Sequence, residues 1–286
     1  MNNILVSYHE SDDALGAPEA PRVVAACGGQ PAAEYAETIT LPWNRLDLLE
    51  DLFVKRGGEI AAVITEPVLA NSGSIMPAEG FLKGMVDLCR NYGAVSIFDE
   101  VITGFRLALG GAREYFDVIP DLSVYAKALA GGFTLSAVAG SRRMFDVLRD
   151  GATIHAGTYN GSTVNLAAGL ATLSILSANP LAFQQMHGHG YAIRQAIEAA
   201  AASRGIPVCI SGAGTVFNVH FGVQSPPTHY RELKATDMAL YNRFRSGMLE
   251  EGIQLLPDGR WYVGLTHGDA ELKLVRAAVR SVVAEL

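Results

Sequence analysis

The stretch Ala94-Val-Ser-Ile-Phe-Asp99-Glu100-Val101 is a short apolar run that ends in two acids. A second run, Leu122-Ser-Val-Tyr-Ala-Lys127-Ala-Leu-Ala-Gly131-Gly132-Phe133, places a lysine just before a glycine pair. Short apolar runs bounded by turn residues are typical of buried strands. Ligands of α/β sheets bind at the carboxyl ends of the strands, so the two runs predict a carboxylate and an amine at one site.

The segments around these two runs alternate between helical and strand patterns. We expect helices at 46–56, 80–92 and 142–149, and strands at 60–65, 95–98 and 137–140. Residues up to about 37 are rich in Ala, Gly and Pro and indicate a long connecting loop. The alternation predicts an α/β fold with a mostly parallel central sheet and helices on both faces.

The last third of the chain has shorter strands among its helices. Its pattern predicts helices at 191–204, 235–251 and 269–286, and strands at 208–210, 215–221 and 261–265. This arrangement indicates a small C-terminal α+β domain. We therefore predict a large domain over residues 1–185 and a small domain over residues 186–286.

Composition excludes several classes of protein. The 286 residues are 49% hydrophobic and only 18% charged, which excludes a disordered chain. A net charge of -7 without a Lys/Arg cluster argues against nucleic acid and against an anionic membrane surface. Three scattered cysteines form neither a disulfide framework nor a metal pattern, and indicate a reducing cytoplasm.

A long segment, residues 151–193, contains no Asp, Glu, Lys or Arg, and its only basic side chains are three histidines. Its Asn, Gln, Gly, Ser and Thr residues interrupt the apolar character that a membrane span requires. We interpret it as a buried loop and helix close to a site or to a subunit interface. Because His187-Gly-His189 is the one ligand-like spacing among the histidines, no metal site is predicted.

Lys127 and Asp99 each have a structural and a chemical interpretation. A lysine in an apolar run is either a surface residue with a buried stem or an amine kept for chemistry, and an Asp-Glu pair after a strand often caps a helix. An enzyme that uses a pyridine cofactor as its electron sink needs both: a lysine to form the imine and an aspartate to keep the ring nitrogen protonated.

Four short motifs, taken in order, resemble the class III aminotransferases, the ornithine and glutamate-semialdehyde branch of fold type I. They are Ile64-Thr-Glu66-Pro67-Val68 with Asn71 and Gly73, Phe98-Asp99-Glu100-Val101-Ile-Thr-Gly104-Phe105-Arg106, Lys127 with Gly131-Gly132, and Ala156-Gly157-Thr158-Tyr159. The continuation Leu107-Ala-Leu-Gly110-Gly111 is most similar to the glutamate-semialdehyde aminomutase subgroup.

The resemblance implies pyridoxal 5'-phosphate as the cofactor, with a role for each matching residue. Lys127 would form the Schiff base and move the proton, and Asp99 would pair with the pyridinium nitrogen. Val101 would press on one face of the ring, and Glu66 would lie beside the pocket with Asn71. Arg106 and Glu100 are interpreted as structural residues that hold the loop.

Two further residues resemble positions that complete the cofactor pocket. Thr158 is similar to the threonine that this family lends across a dimer interface to the cofactor phosphate of the neighbouring subunit, so a homodimer is implied. Tyr8-His9 resembles an aromatic-histidine pair whose aromatic ring stacks on the cofactor, although Glu10 replaces the usual following glycine.

The family also places a segment before that pair, and the present sequence has no counterpart for it. In relatives this segment supplies a Ser/Gly-Thr turn that binds the cofactor phosphate. The loss of two hydrogen bonds to a charged group would weaken cofactor affinity by about two to four decades. A naturally short enzyme, a sequence that lost its start and half of a split enzyme are three explanations that stay open.

The resulting hypothesis is a pyridoxal-phosphate-dependent aminotransferase that moves an amino group from a small amine donor to a carbonyl acceptor. One alternative is an intramolecular transfer of the glutamate-1-semialdehyde 2,1-aminomutase type. Another is a remnant that binds the cofactor without catalysis. The identity of the amine substrate is left open, because selectivity depends on the shape of the pocket and on residues from a partner chain.

Overall fold

The computed structural model of the chain describes residues 6, 7 and 9–286. They divide into two compact units, residues 1–60 and residues 61–286. The first unit has a two-stranded antiparallel sheet, in which β1 (Val6–Ser7) pairs with β2 (Val24–Ala25). It also contains α1 (Asp12–Leu15) and α2 (Leu46–Arg56), whose Phe53 is fully buried. Most of its residues before position 37 lie in loops and turns, as the composition predicts.

A four-stranded sheet in the order β3-β4-β5-β6 is the centre of the second unit. Its strands are β3 (Ala62–Thr65), β4 (Val95–Asp99), β5 (Leu122–Tyr125) and β6 (Ala137–Gly140). The first three strands are parallel, and β6 is antiparallel to β5. The carboxyl ends of β3, β4 and β5 therefore lie at the same edge of the sheet.

Helices connect and cover these strands. They are α3 (Phe81–Tyr92), α4 (Ala112–Tyr115), α5 (Arg142–Arg149) and α6 (Thr163–Ala178). The apolar side of α3, which includes Met85 and Cys89, packs against β3 and β4 and buries that face of the sheet. α6 packs instead on the 3-10 turn Lys127–Ala130, and a Cβ at Gly169 of α6 would lie 2.8 Å from the side chain of Leu135.

The rest of the second unit is an antiparallel sheet with three helices. Its strands, in the order β7-β8-β9, are β7 (Val208–Gly212), β8 (Val216–Phe221) and β9 (Arg260–Tyr262). The helices are α7 (Ala182–Ser203), α8 (Met238–Glu250) and α9 (Asp269–Glu285). A single apolar core joins them, with the aromatic rings of Phe217, Phe244 and Trp261 at its centre.

The α/β architecture and the mostly parallel sheet are confirmed, but one expectation is wrong. The loop 151–161 and helix α6 are not buried: Val164, Leu170 and Ile175 are each at least 60% exposed, and Gly169 is the one buried residue of α6. The apolar sequence is compatible with burial, but no element of the described chain covers this face. The predicted domain boundary near residue 185 stays a prediction, and α7 runs through that position.

No single helix among residues 6, 7 and 9–286 is both long enough and apolar enough to cross a membrane. Helices α6 and α7 reach the required length and hydropathy only as a pair, and an 85° bend separates them.

Candidate active site

Three charged residues meet at the carboxyl edge of the parallel strands. Glu66 directly follows β3, Asp99 is the last residue of β4, and Lys127 comes two residues after β5. Asp99 pairs in register with Val124 of the neighbouring strand. The predicted carboxylate and amine are thus brought to one edge of the sheet, with a second carboxyl group beside them.

Lys127 is held in an unusual backbone conformation. Its φ angle of +45° lies in the left-handed region, where a non-glycine residue is uncommon and costs about 1 kcal/mol or more. The residue begins the 3-10 turn Lys127–Ala130, which ends at Gly131. Lys127 is solvent-exposed and has no hydrogen bond or ion pair within the described residues. Its amine is therefore available to a ligand.

The surroundings of Lys127 favour its neutral form. Partial burial lowers the pKa of the amine most, and the charges of Arg260 and Arg106 lower it further. Glu66 and Asp99 act in the opposite direction, but the net pKa lies below the usual value for lysine. A neutral amine is the form that attacks a carbonyl carbon.

Asp99 is oriented by the turn that follows its strand. One carboxylate oxygen, Oδ1, accepts a hydrogen bond from the backbone N–H of Val101 at 3.0 Å. Val101 is half-buried at the start of the turn. The hydrogen bond fixes the direction of the carboxylate, and Oδ2 remains as a second acceptor.

Glu66 has a carboxyl group that titrates near neutrality. Burial raises its pKa to about 7, against the hydrogen bond that its Oε2 accepts from the backbone N–H of Asn71 at 3.2 Å. The charge of Asp99 raises the pKa further, and the charges of Lys127 and Arg260 lower it. Such a shifted carboxyl group beside a reactive amine is common at functional sites.

Glu100, the acid after Asp99, is a structural residue. It is fully buried, and its carboxyl oxygens accept hydrogen bonds from the backbone N–H groups of Ala112 and Arg113 and from the hydroxyl of Thr103. Burial is the main reason that its pKa is raised. The carboxyl group therefore holds the loop between β4 and α4, as the sequence predicts.

The guanidinium groups of two arginines flank the ring of Tyr262 near this edge. The Cζ atom of Arg106 lies 4.4 Å from the ring centroid and that of Arg260 lies 5.9 Å from it. Arg260 also donates from Nη1 to Oδ1 of Asn71 at 2.8 Å. No sequence motif pointed to Arg260 or Tyr262, because they lie in a three-residue strand far along the chain.

The other predicted site residues lie apart from this cluster or outside the description. Thr158 is exposed in the loop before α6. Tyr8 lies outside the described residues. No group of three or more His, Cys, Asp or Glu side chains suited to a metal ion occurs among residues 6, 7 and 9–286.

A family model described as aminotransferase class-III matches residues 20–267. The chain belongs to this family. Curated relatives named glutamate-1-semialdehyde 2,1-aminomutase, from Nitratidesulfovibrio vulgaris and Nitrosospira multiformis, are 35% and 36% identical to the chain. The matches cover 96% and 97% of the chain but 66% of each relative, which is just under two thirds of their length.

Solved structures of a transaminase and an aminomutase share the fold of the chain. An omega-transaminase from Sphaerobacter thermophilus is 28% identical to the chain, with a TM-score of 0.91. The match covers 99% of the present chain and 65% of the transaminase chain. A glutamate-1-semialdehyde aminomutase from Pseudomonas aeruginosa in complex with PMP is 25% identical to the chain, with a TM-score of 0.79. The match covers 93% of the present chain and 61% of the aminomutase chain. The class III chain therefore has the fold type I architecture, and pyridoxal phosphate is the cofactor of its family.

Proposed function

We propose that the chain is a pyridoxal-phosphate-dependent aminotransferase that moves an amino group from an amine donor to a carbonyl acceptor. The observation that supports this most directly is the placement of Asp99 and Lys127. They lie at the carboxyl ends of neighbouring parallel strands, in a chain of the class III family. The amine and the carboxylate are the two groups that the chemistry requires.

The residues present fit the cofactor. Lys127 has an amine without a partner among the described residues, and Asp99 has an oriented carboxylate for a ring nitrogen. Val101 follows on the same turn and is suited to pack on a ring face. When bound, pyridoxal phosphate supplies a carbonyl for covalent attachment and an electron sink for the carbon that loses its proton.

The chain's own residues divide the remaining work. Lys127 provides the nucleophilic amine, and its Nζ then holds and returns the proton of the substrate carbon. Asp99 stabilises positive charge on the ring nitrogen by a charge-assisted hydrogen bond. Glu66, whose pKa is raised to about 7 by burial, sets the charge around Lys127 as the pH crosses neutrality.

We further propose a homodimer in which Thr158 reaches the cofactor phosphate of the neighbouring subunit. Thr158 is exposed and lies in the loop before α6, whose side chains Val164 and Leu170 are 63% and 68% exposed. Exposed apolar patches of this kind commonly mark an interface between subunits. Three unpaired cysteines, two of them buried, fit a location in the cytoplasm.

An intramolecular amino transfer of the aminomutase type is the second candidate. The names of the curated relatives at 35% and 36% identity favour it. An aminomutase needs no separate acceptor, so turnover of an amino aldehyde without an added keto acid would favour it. A strict requirement for a keto acid favours the aminotransferase.

The central test is the covalent attachment of the cofactor to Lys127. The purified chain, loaded with pyridoxal phosphate, should have the visible absorbance of an imine and should transfer amino groups to pyruvate. Lys127→Ala should lose both, and Lys83→Ala, which changes an exposed lysine of α3, should retain both. Unmodified chain without the band contradicts the proposal, and a band without any amino transfer favours a remnant that only binds the cofactor.

A further inference from the structure

A groove of about 560 Å³ lies between helices α7 and α9. Its floor is apolar and is formed largely by small side chains, among them Ala196 and Ala200. Arg204 lines the groove from the end of α7, and Arg276 and Arg280 line it from α9. All of the lining residues belong to these two helices or to their ends, so the groove is separate from the candidate active site.

The three arginines of the groove have no carboxylate partner. Their side chains are exposed, and none makes an ion pair or a hydrogen bond within residues 6, 7 and 9–286. The acid of α7, Glu198, acts instead on the thiol of Cys209 in β7. Glu285 near the end of α9 is not among the lining residues. In a chain with a net charge of -7, the groove is therefore a local concentration of positive charge.

The charges on α9 repel one another. Lys273, Arg276 and Arg280 are spaced at i, i+3 and i+7, and neither arginine has an acid three or four residues away. Like charges at these spacings destabilise a helix, and opposite charges stabilise it, as Lys83 and Asp87 of α3 do. The dipole of α9 does not explain the two arginines, because its last turn contains no basic residue. A negatively charged partner would relieve this repulsion.

The row of cations on α9 favours an extended partner over a small anion. The helical period places residue 273 on the same face as both arginines, and the row from 273 to 280 is about 10 Å long. Cations in such a row do not converge on one point, but they match carboxylates spaced at i, i+3 and i+7 on a second helix. The apolar floor runs beside the row, where the apolar side of that helix would pack.

We propose that the groove between α7 and α9 binds an acidic amphipathic helix of a partner protein. Carboxylates of the partner pair with Arg276 and Arg280, and its apolar side chains pack on Ala196 and Ala200. This inference goes beyond the proposed aminotransferase function and does not rest on it, because neither the groove nor its test involves the cofactor.

The first experiment measures binding of a designed acidic helix to the full chain. The probe is a fluorescein-labelled, end-capped peptide of about 16 residues, long enough to form a helix, with glutamates at i, i+3 and i+7 and leucines on the adjacent face. Fluorescence anisotropy should detect binding at low ionic strength, and sodium chloride should weaken it. A peptide of the same composition in scrambled order should bind about tenfold more weakly or less, since it has no continuous acidic or apolar side.

The second experiment is a double-mutant cycle between protein and peptide. Arg276→Gln combined with Arg280→Gln should weaken binding of the glutamate peptide by about three- to tenfold, because two exposed ion pairs are lost. A peptide with glutamine in place of each glutamate should bind the unmodified protein and this double variant within about twofold of each other. A purely structural effect of the substitutions would weaken both peptides equally and would contradict the assigned pairing.

Arg142→Gln combined with Arg143→Gln is the matched control. These two arginines of α5 are also exposed, and neither has an ion pair or a side-chain hydrogen bond in the part of the chain that the structure describes. Both double variants change the net charge by the same amount. The affinity of the control for the glutamate peptide should stay within about twofold of the unmodified protein. An equal loss in both double variants would show that the peptide responds only to net charge.

Several other results would also overturn the inference. These are an unmodified protein that does not bind the glutamate peptide, equal affinities for the ordered and scrambled peptides, and displacement of the peptide by inorganic phosphate at constant ionic strength, which indicates a small-anion site. Tighter binding to phosphatidylserine vesicles would indicate a membrane surface. Weaker self-association of the Arg276 and Arg280 double variant would indicate a second copy of the chain. Failure of the proposed function is separate, because it is read from the imine absorbance and its loss in Lys127→Ala.

Discussion

The Nε2 atom of His220 lies 2.7 Å from Oγ of Ser211, and both side chains are buried between β7 and β8. The Ser211 hydroxyl donates in turn to the carbonyl oxygen of Gly73, which lies 3.3 Å from Nε2 of His220. One arrangement of protons satisfies these contacts: a neutral imidazole donates to Ser211, and Ser211 donates to Gly73. The pair thereby fixes the loop that also contains Asn71, the hydrogen-bond donor to Glu66.

Ser211→Ala should lower the free energy of unfolding by about 1–3 kcal/mol, because it leaves buried polar groups without their hydroxyl partner. Denaturant unfolding monitored by circular dichroism measures this loss. Ser203→Ala is the control, since its hydroxyl bonds to the carbonyl of Ala200 at an exposed helix end, and it should change stability by less than about 0.5 kcal/mol. Equal stabilities of the two variants would contradict the role assigned to Ser211.

The buried imidazole of His220 should make stability depend on pH. Burial lowers its pKa to about 4 from an ordinary value of 6.5, so the unfolded chain binds the proton more tightly. Its stabilising contribution is therefore complete above pH 6.5 and is lost as the pH falls towards 4, by up to about 3 kcal/mol. His220→Gln should have a smaller loss of stability across this window than the unmodified protein, and parallel curves would contradict the assignment.

Glu66 should make the free energy of unfolding fall as the pH rises, which is opposite to the effect of His220, over nearly the same pH range. Its pKa is raised to about 7 by burial, so the folded chain holds the proton more tightly than the unfolded chain does. Its contribution is complete below about pH 4.5 and is lost as the pH rises through 7, by at most about 3 kcal/mol before allowance for partial exposure.

The effects of His220 and Glu66 on the pH dependence of stability partly cancel in the unmodified protein. Glu66→Gln removes one of them, so the pH dependence due to His220 should become measurable. Stability of Glu66→Gln, measured from pH 4.5 to 7 by urea unfolding, should rise more steeply with pH than that of the unmodified protein. Glu59→Gln is the matched control, because Glu59 is exposed and its pKa is lowered by its partner Arg56, not raised. A Glu66→Gln curve parallel to that of the unmodified protein would contradict the raised pKa.

The sequence predicted the part of the site that depends on local pattern. Asp99 and Lys127 end or follow short apolar strands, and the parallel arrangement of those strands is sufficient to bring their ends together, whereas Glu66 was expected there only from the family resemblance. Arg260 and Tyr262 could not be predicted in this way, because their approach to Arg106 depends on how two sheets pack. The charges Arg106 and Arg260 were visible in the sequence, but the fact that only Arg260 has an acidic partner was not.

The fold was predicted to a similar extent. The helices at 46–56 and 142–149 agree with the structure at both ends, because each has a clear helical period and a glycine or aspartate after it. The antiparallel direction of β6 and the exposure of α6 were not predictable. A run of small apolar residues indicates that a surface is covered, but it does not indicate what covers it.

Gly111→Ala should be strongly destabilising. Gly111 has a φ angle of +73°, and a Cβ at this position would lie 2.2 Å from Oε2 of Glu100. The substitution must therefore strain the backbone and displace the buried carboxyl group from its three donors, at a cost of about 2 kcal/mol or more. Thermal unfolding should detect it as a lower midpoint. Gly264→Ala is the control, since its Cβ would meet no atom within 4 Å and its φ is not positive.

Leu170→Lys should separate the proposed homodimer into monomers. Leu170 is 68% exposed on α6, and α6 packs on the turn that contains Lys127. A lysine at the centre of an apolar interface would have to lose its hydration without a partner, so the dimer dissociation constant should rise by roughly tenfold or more. Sedimentation velocity over a range of protein concentrations measures this constant. Leu274→Lys is the control, because it changes a 51% exposed leucine of α9 and should leave self-association unchanged. An unmodified chain that sediments as a monomer at every concentration, or an equal effect of the two substitutions, would contradict an interface on α6 and with it the contribution of Thr158 to the neighbouring site.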